Sequence, residues 1–389
     1  GDQQEDDNLS GLIESYFRQL FDDRNVSEES KQALWDYYNT KLSKAFDLGY
    51  NANSEFYDAD LAQSLKDDIA KFSAFKETSF RTQLEAALTE DGKVVPWSEF
   101  KKRATELNVE YNQRWLKTEY HHTIATANSV DNWKRFEADA DLYPNLRYNA
   151  VNDKRTRDAH RALDGLILPI NHEFWTKHNV PLDWGCRCNL EQTDEEPSKT
   201  VPEILVKGAF KNNAALSKEL FGEMPYESGM SAEQAKEAKS NATKFANNKV
   251  LKSDRKEQFK TLYETKEGAV REHKLIKKGD DYNDILTTAK AFAEKGKITE
   301  LLPEINEKEK VLRNVVFPNL SSKTSNPDLR VGSAYYDIKR PKAIKNILGN
   351  ANGASKQGAI AVISDSQLDK PLTDIIMKNR AAHIFKDKN

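Results

Sequence analysis

From residue 9 to 48, apolar side chains return at three- and four-residue intervals. They are Leu12, Ile13, Tyr16, Phe17 and Leu20, then Leu34, Tyr37, Tyr38, Leu42 and Phe46. That is the period of helices with one buried face. The same spacing predicts helix over about 59–90. It resumes at Trp97, where "WSEFKKRATELNVEYNQRWLKTEYHHTIATANSVDNWKRFEADA" reads as one short and one long helix without an internal Pro or Gly. The first 140 residues are therefore expected to be almost entirely helical.

The pattern shortens over 143–192, where strand-like pieces alternate with Pro, Gly and Asn and Asp164-Gly165 marks a turn. This predicts a compact α+β unit. "TDEEPSKTVPEI" has linker chemistry, and 205–250 reads as a helical connector of low hydrophobicity. Beyond 250, "EQFKTLYETKEGA" reads as a helix, "VREHKLI" as a strand and "DYNDILTTAKAFAEKG" as a helix stopped by Gly296. "KITELLPEI", "NVVFPNL", "AYYDIKR" and "AIAVISD" read as strands, with "PKAIKNILGNANGASKQ" a helix between the last two. The expected fold is a multidomain α+β chain. Residues 1–192 form a mostly helical region with a small α+β unit, 193–248 a linker and connector, and 249–389 an α/β domain around a central mixed sheet.

Composition adds two constraints. With 38% hydrophobic and 31% charged residues among 389, the chain reads as polar, and no apolar run nears the roughly 18 residues of a membrane span. The opening "GDQQEDDNLS" lacks the apolar core of a secretory signal and reads as a frayed acidic tail. The two cysteines, Cys186 and Cys188, are too close for an unstrained bridge, so no disulfide framework is expected. The net charge of −3 conceals a division. Residues 251–389 carry 27 Lys and Arg against 19 Asp and Glu, whereas the other 250 residues carry 32 against 43. A basic half suggests a polyanionic partner such as nucleic acid.

Between Lys310 and Ile360 the only acids are Asp328 and Asp337, both in "NPDLRVGSAYYDIKRP". On a strand, Tyr335, Asp337 and Lys339 share one face, leaving Ala334, Tyr336 and Ile338 to be buried on the other. Two carboxylates beside a lysine suit phosphodiester hydrolysis: the carboxylates can hold Mg²⁺ and the lysine can orient water and offset phosphate charge. The stretch resembles the signature of the PD-(D/E)xK nuclease superfamily, with Pro327-Asp328 as its first part and Asp337-Ile338-Lys339 as its second. Over about 270–365 it is similar to the tRNase toxin domains that end contact-dependent inhibition proteins. The resemblance implies Asp328 and Asp337 as Mg²⁺ ligands and Lys339 as the catalytic lysine. It implies one further acid, for which Asp284 is preferred, then Glu304, with Glu264 also considered. Lys356 and Gln357 are implied as possible backbone-contacting groups.

A second constellation lies in "DKRTRDAHRALDGLILPINHEFWTKHNVPLDWGCRCNL", where His160, His172, His178, Cys186 and Cys188 offer imidazole and thiolate groups that suit Zn²⁺. A buried, packed cluster around His160, Cys186 and Cys188 is the expected reading and zinc the alternative. No Ser/His/Asp arrangement or phosphate-binding Gly loop is evident. With the long helix before it, this stretch resembles the phage Mu F-like head morphogenesis family over about 90–192. The carrying run is Arg157, His160, "RALDG", "FW" and "WGCRC". Many members have a further Cys pair before the LDG, where this chain has Arg157 and His160. The resemblance implies a minor head protein near the portal.

Together these readings describe a phage- or prophage-derived toxin or effector. The head-protein part would package or deliver it, acting from the virion interior or bacterial cytoplasm. The C-terminal part would cut nucleic acid, with tRNA favoured and DNA possible. Portal and capsid proteins and a cognate immunity protein are the implied partners, and no membrane is. The rival reading makes the basic module a non-catalytic binder of packaged DNA. A metal-free ribonuclease using His273 or His383 is the third.

Overall fold

A computed structural model describes residues 2–364, 366–368 and 382–383. The chain divides into two compact units, Gly1–Ala246 and Asn247–Asn389. The remaining residues of the expected 249–389 domain, and the side chain of His383, lie outside the described residues.

The first unit is built on helices α1 (Asp2–Asp23), α2 (Glu28–Gly49), α3 (Ala59–Ala87), α4 (Trp97–Asn108) and α5 (Leu116–Ala138). The expected acidic tail is instead the start of α1. Ser27 caps α2 by accepting the amide of Ser30, and Asp58 caps α3 by accepting that of Leu61. The two helices expected after Trp97 are joined by a π-helical segment, Val109–Trp115, so the chain stays helical throughout. Helix α2 meets α5 at Gly49, where a Cβ would lie 2.6 Å from the Ile124 carbonyl oxygen and 2.7 Å from Ala127 Cβ. Only glycine permits that approach.

A three-stranded antiparallel sheet follows, with β1 (Asn145–Asn149) between β2 (Ile167–Pro169) and β3 (Asn189–Thr193). The stretch 193–248 differs from the expected linker. Val206, Phe210, Ala214, Leu220 and Phe221 are buried in the same core as α1–α5. In α7 (Ala232–Lys252; α6 is Asp158–Arg161), within which the unit boundary falls, Ala242 and Phe245 pack on Trp35, Ala70 and Ala74. A low density of apolar residues concealed how well each is placed.

The second unit is a mixed sheet. In spatial order its strands are β9 (Ile360–Ile363), β8 (Ala334–Lys339), β7 (Leu329–Val331), β6 (Ile298–Leu301), β5 (Ala269–His273) and β4 (Phe259–Glu264), and a two-residue strand Ala382–His383 pairs beyond β9. The pairs β8–β9 and β5–β6 are parallel, whereas β4–β5, β6–β7 and β7–β8 are antiparallel. Helix α8 (Tyr282–Glu294) covers one face, its Ile285, Ala289 and Ala293 meeting Val270, Leu301, Leu329, Ile338 and Val362. Gly268 lets it approach, since a Cβ there would sit 2.0 Å from the Ala293 carbonyl oxygen. Two expectations fail here. "EQFKTLYETKEGA" supplies β4, an edge strand formed by pairing with β5 rather than a helix. "NVVFPNL" belongs to helix α9 (Lys310–Val316) and the turn after it, held where Arg313 donates to the Ile305 carbonyl and Asn326 Oδ1. Helix α10 (Ile347–Lys356) then makes the crossover from β8 to β9.

Candidate functional site

Asp328 closes the turn before β7. Its amide donates to the Tyr336 carbonyl at 3.0 Å and its own carbonyl accepts from the Leu302 amide at 2.9 Å. Its carboxylate Oδ2 accepts the Ile338 amide at 2.7 Å. Two backbone hydrogen bonds and one to the carboxylate thus pin this residue beside β8. Asp337, one strand over and 4% exposed, faces Lys339, whose Nζ lies 3.2 Å from Asp337 Oδ2. Alternation along β8 brings the Asp and Lys to one side, as the spacing predicts. That side is not an open surface, however. Tyr335 is buried with Val316 and Phe317 while Ile338 is buried under α8, because this sheet is covered on both faces.

Burial pushes the Asp328 carboxyl up to about 7, with the negative charges of Asp337 and Asp281 adding and the Ile338 amide and Lys339 opposing. The two carboxylates offer oxygen donors of the kind that Mg²⁺ takes.

The other candidates are dispersed. Asp284 lies on the first turn of α8, over the face opposite to Asp337. Its Oδ2 accepts from Ser366 at 3.0 Å and lies 3.7 Å from Arg340 Nε. The pleat that aims Asp337 away from α8 separates the two. Glu304 is exposed in the loop after β6, and Glu264 ends the edge strand β4. Lys356 and Gln357 are exposed at the C-terminal end of α10. The parallel crossover places them at the start of β9, whereas Lys339 stands opposite its last residue, Ile363. Asp281, at the N-cap position of α8, escaped sequence reasoning although its charge reaches Asp328. Its place one turn before Asp284 was the available signal. His273 is no free acid–base group: it is buried, its Nε2 lies 2.9 Å from Gln258 Oε1, and burial pushes its pKa down to about 4.

In the first unit, His160 on α6 and Cys186 and Cys188 before β3 do converge. His160 Nδ1 is 3.7 Å from each sulfur. Among the described residues this is the one group of three His, Cys, Asp or Glu ligand atoms lying within 4.8 Å of one another. The hydrogen bond between the two thiols holds Cys188 below the ordinary thiol range and pushes Cys186 above it, and His160 assists in lowering Cys188. His172 and His178 stand apart. His172 Nδ1 accepts the Phe174 amide at 3.1 Å, and His178 stacks on the Phe174 ring.

Comparison with known proteins bears on the first unit. Residues 78–191 match the family described as "Phage Mu protein F like protein". The putative capsid assembly protein F of Escherichia phage Mu is 36% identical over 77 residues, 20% of this chain and 18% of that protein. The Mu-like prophage FluMu F protein of Haemophilus influenzae strain Rd is 38% identical over 82 residues, 21% of this chain and 20% of that protein. The chain spans about a fifth of the length of the curated relatives it matches. No solved structure matches it. Among the described residues no helix is long and apolar enough to cross a membrane. Over residues 78–191, the chain carries a phage Mu F-like domain.

Proposed function

We propose that this is a phage or prophage head protein whose second unit is a divalent-metal-dependent nuclease, acting as a toxin or effector. A relative named for capsid assembly supports a head-assembly role for the Mu F-like domain, with capsid or portal proteins as partners. The observation that carries the nuclease reading is the meeting of Asp328, in the turn before β7, with Asp337 and Lys339 on β8, inside the long basic stretch of the chain.

Bound Mg²⁺ would supply a Lewis acid for the scissile phosphate and a more acidic water. Asp328 and Asp337 would hold it. Lys339, 3.2 Å from Asp337, would orient the attacking water and offset charge on the phosphate. The neighbouring basic residues would bind the strand through its phosphates. tRNA is the favoured substrate and DNA the next. A cognate immunity protein would protect the producing cell, and the site of action would be the recipient's cytoplasm.

The test is incubation of the whole chain with total RNA and plasmid DNA, with Mg²⁺ or EDTA. Cleavage that requires Mg²⁺ supports the reading. A second reading has a specific basis: among the described residues no third carboxylate joins Asp328 and Asp337 in a cluster of ligand atoms. The unit would then hold packaged DNA without cutting it, and binding that persists in EDTA without any product would favour that outcome.

A further inference from the structure

The His160, Cys186 and Cys188 cluster is not used by any function proposed above. Its parts come from two places in the chain. Cys186 and Cys188 flank Arg187 just before β3, so alternation turns both sulfurs to one side and sends Arg187 outward to Asp153, whose two oxygens it meets at 2.6 Å each. The turn leading in is fixed by Gly185 at φ +67° and by the Cys186 amide donating to the Asp183 carbonyl. His160 arrives on α6, whose amide at His160 is held by the Arg157 carbonyl at 3.0 Å. Arg157 in turn reaches Asp183 at 3.2 Å and the Trp184 carbonyl at 2.9 Å, tying α6 to the cysteine turn.

The distances match those around a tetrahedral ion. Zinc–sulfur bonds of about 2.3 Å and zinc–nitrogen bonds of about 2.0 Å put nitrogen and sulfur about 3.5 Å apart. Both observed separations are 3.7 Å. A packed, metal-free cluster explains them less well. One imidazole nitrogen carries either one proton or one lone pair, so Nδ1 can satisfy one sulfur and not both. A second observation comes from β1. The Tyr148 hydroxyl is fully buried against the same two sulfurs, with Cys188 as its side-chain hydrogen-bond partner and Cys186 close enough to act on it electrostatically. A group that hydrogen-bonds a ligand atom from outside is the kind that orients a metal's ligands.

We propose that His160 Nδ1, Cys186 Sγ and Cys188 Sγ bind one zinc-class ion with water in the fourth position, and that the Tyr148 hydroxyl orients the Cys188 ligand by hydrogen-bonding its sulfur. In the bound state both cysteines are thiolates, and their two charges balance the dication. The ion cross-links α6 to the start of β3. It thereby fastens the turn-rich segment between them to the small sheet, in a chain that has no disulfide to do so.

The test uses the full chain, reduced and stripped of metal, then titrated with Co²⁺. The expected result is one equivalent bound, with the thiolate-to-cobalt charge-transfer band and the visible bands of a tetrahedral site, all displaced by one equivalent of Zn²⁺. Cys188→Ser should abolish the charge-transfer signature. Tyr148→Phe should keep the stoichiometry and weaken affinity by about tenfold, the usual scale for a group outside the ligand shell. Because a cysteine variant can simply misfold, the wild-type protein supplies an independent readout. Zn²⁺ should protect both thiols from alkylation under native conditions. Absence of the cobalt bands together with unprotected thiols would overturn the site. Asp337→Asn should leave every one of these results unchanged, so they stand or fall apart from the nuclease reading.

Discussion

The two units bury charge in opposite ways. In the first, Lys76 is fully buried and paired. Its Nζ donates to the Tyr111 carbonyl at 2.8 Å, lies 2.9 Å from Glu119 Oε2, and sits 5.3–5.4 Å from the ring centroids of Tyr38, Tyr111 and Tyr226. Close by, Arg81 pairs with Glu77 at 3.0 Å and with Glu237 at 2.8 Å. In the second, Asp328 and Asp337 share Lys339. The second unit also contains its own control. Burial works to raise the Glu300 carboxyl, but Arg255 at 2.6 Å and Arg330 at 3.4 Å together hold it below its ordinary value. A buried charge that meets its opposite is part of the scaffold. One with less opposing charge is a candidate site for a ligand.

The sharpest way to break this comparison is to neutralise one charge in each unit. Asp337→Asn removes a ligand charge with almost no change in shape. Mg²⁺-dependent cleavage should fall by about a thousandfold or more, while the unfolding midpoint in urea stays within error or rises. Cleavage at the wild-type rate would reduce β8 to an ordinary buried strand. Lys339→Ala should lower cleavage by about a hundredfold and leave Mg²⁺ binding by calorimetry nearly intact, since an ammonium is not a ligand.

In the first unit the same operation should cost stability. Lys76→Met leaves Glu119 buried without its cation and should destabilise the unit by about 3–5 kcal/mol in urea unfolding. Adding Glu119→Leu should recover most of that loss. If the single variant were neutral, the balanced pair would have to be structurally idle.

A smaller effect comes from His122, which is stacked with Phe221 and near Trp184. Burial pushes its pKa down to about 4 from the usual 6.5, with Asp183 opposing. The folded form binds fewer protons than the unfolded one between those values. Its contribution is thus present above pH 6.5 and is lost as pH falls toward 4, about 2 kcal/mol by pH 5. His273 should act with the same sign in the second unit. Urea unfolding at pH 7 and pH 5 checks this, and His122→Phe should flatten the dependence of the first unit. An unchanged midpoint between the two pH values would refute it.

Local periodicity made the helices of the first 140 residues legible, because Leu34, Tyr38, Leu42 and Phe46 mark one buried stripe whatever covers it. The same reasoning found β8 and β9 and put Asp337 and Lys339 on one side. It misread Phe259–Glu264, a largely exposed edge strand whose pattern carries little trace of its partner. It also discounted 193–248, where a few well-placed apolar residues matter more than their density.

The sequence alone determined which stretches repeat at helix or strand spacing, where the basic charge accumulates, and which residue types could bind a metal. These follow from neighbours a few positions apart. Tertiary structure decided what those residues meet. It set Asp284 against Arg340 and Ser366, let Asp281 act on Asp328, and brought His160 to two cysteines more than 25 residues away. Electrostatic balance and metal coordination depend on distances through space, and the linear order of residues does not contain them until the chain has folded.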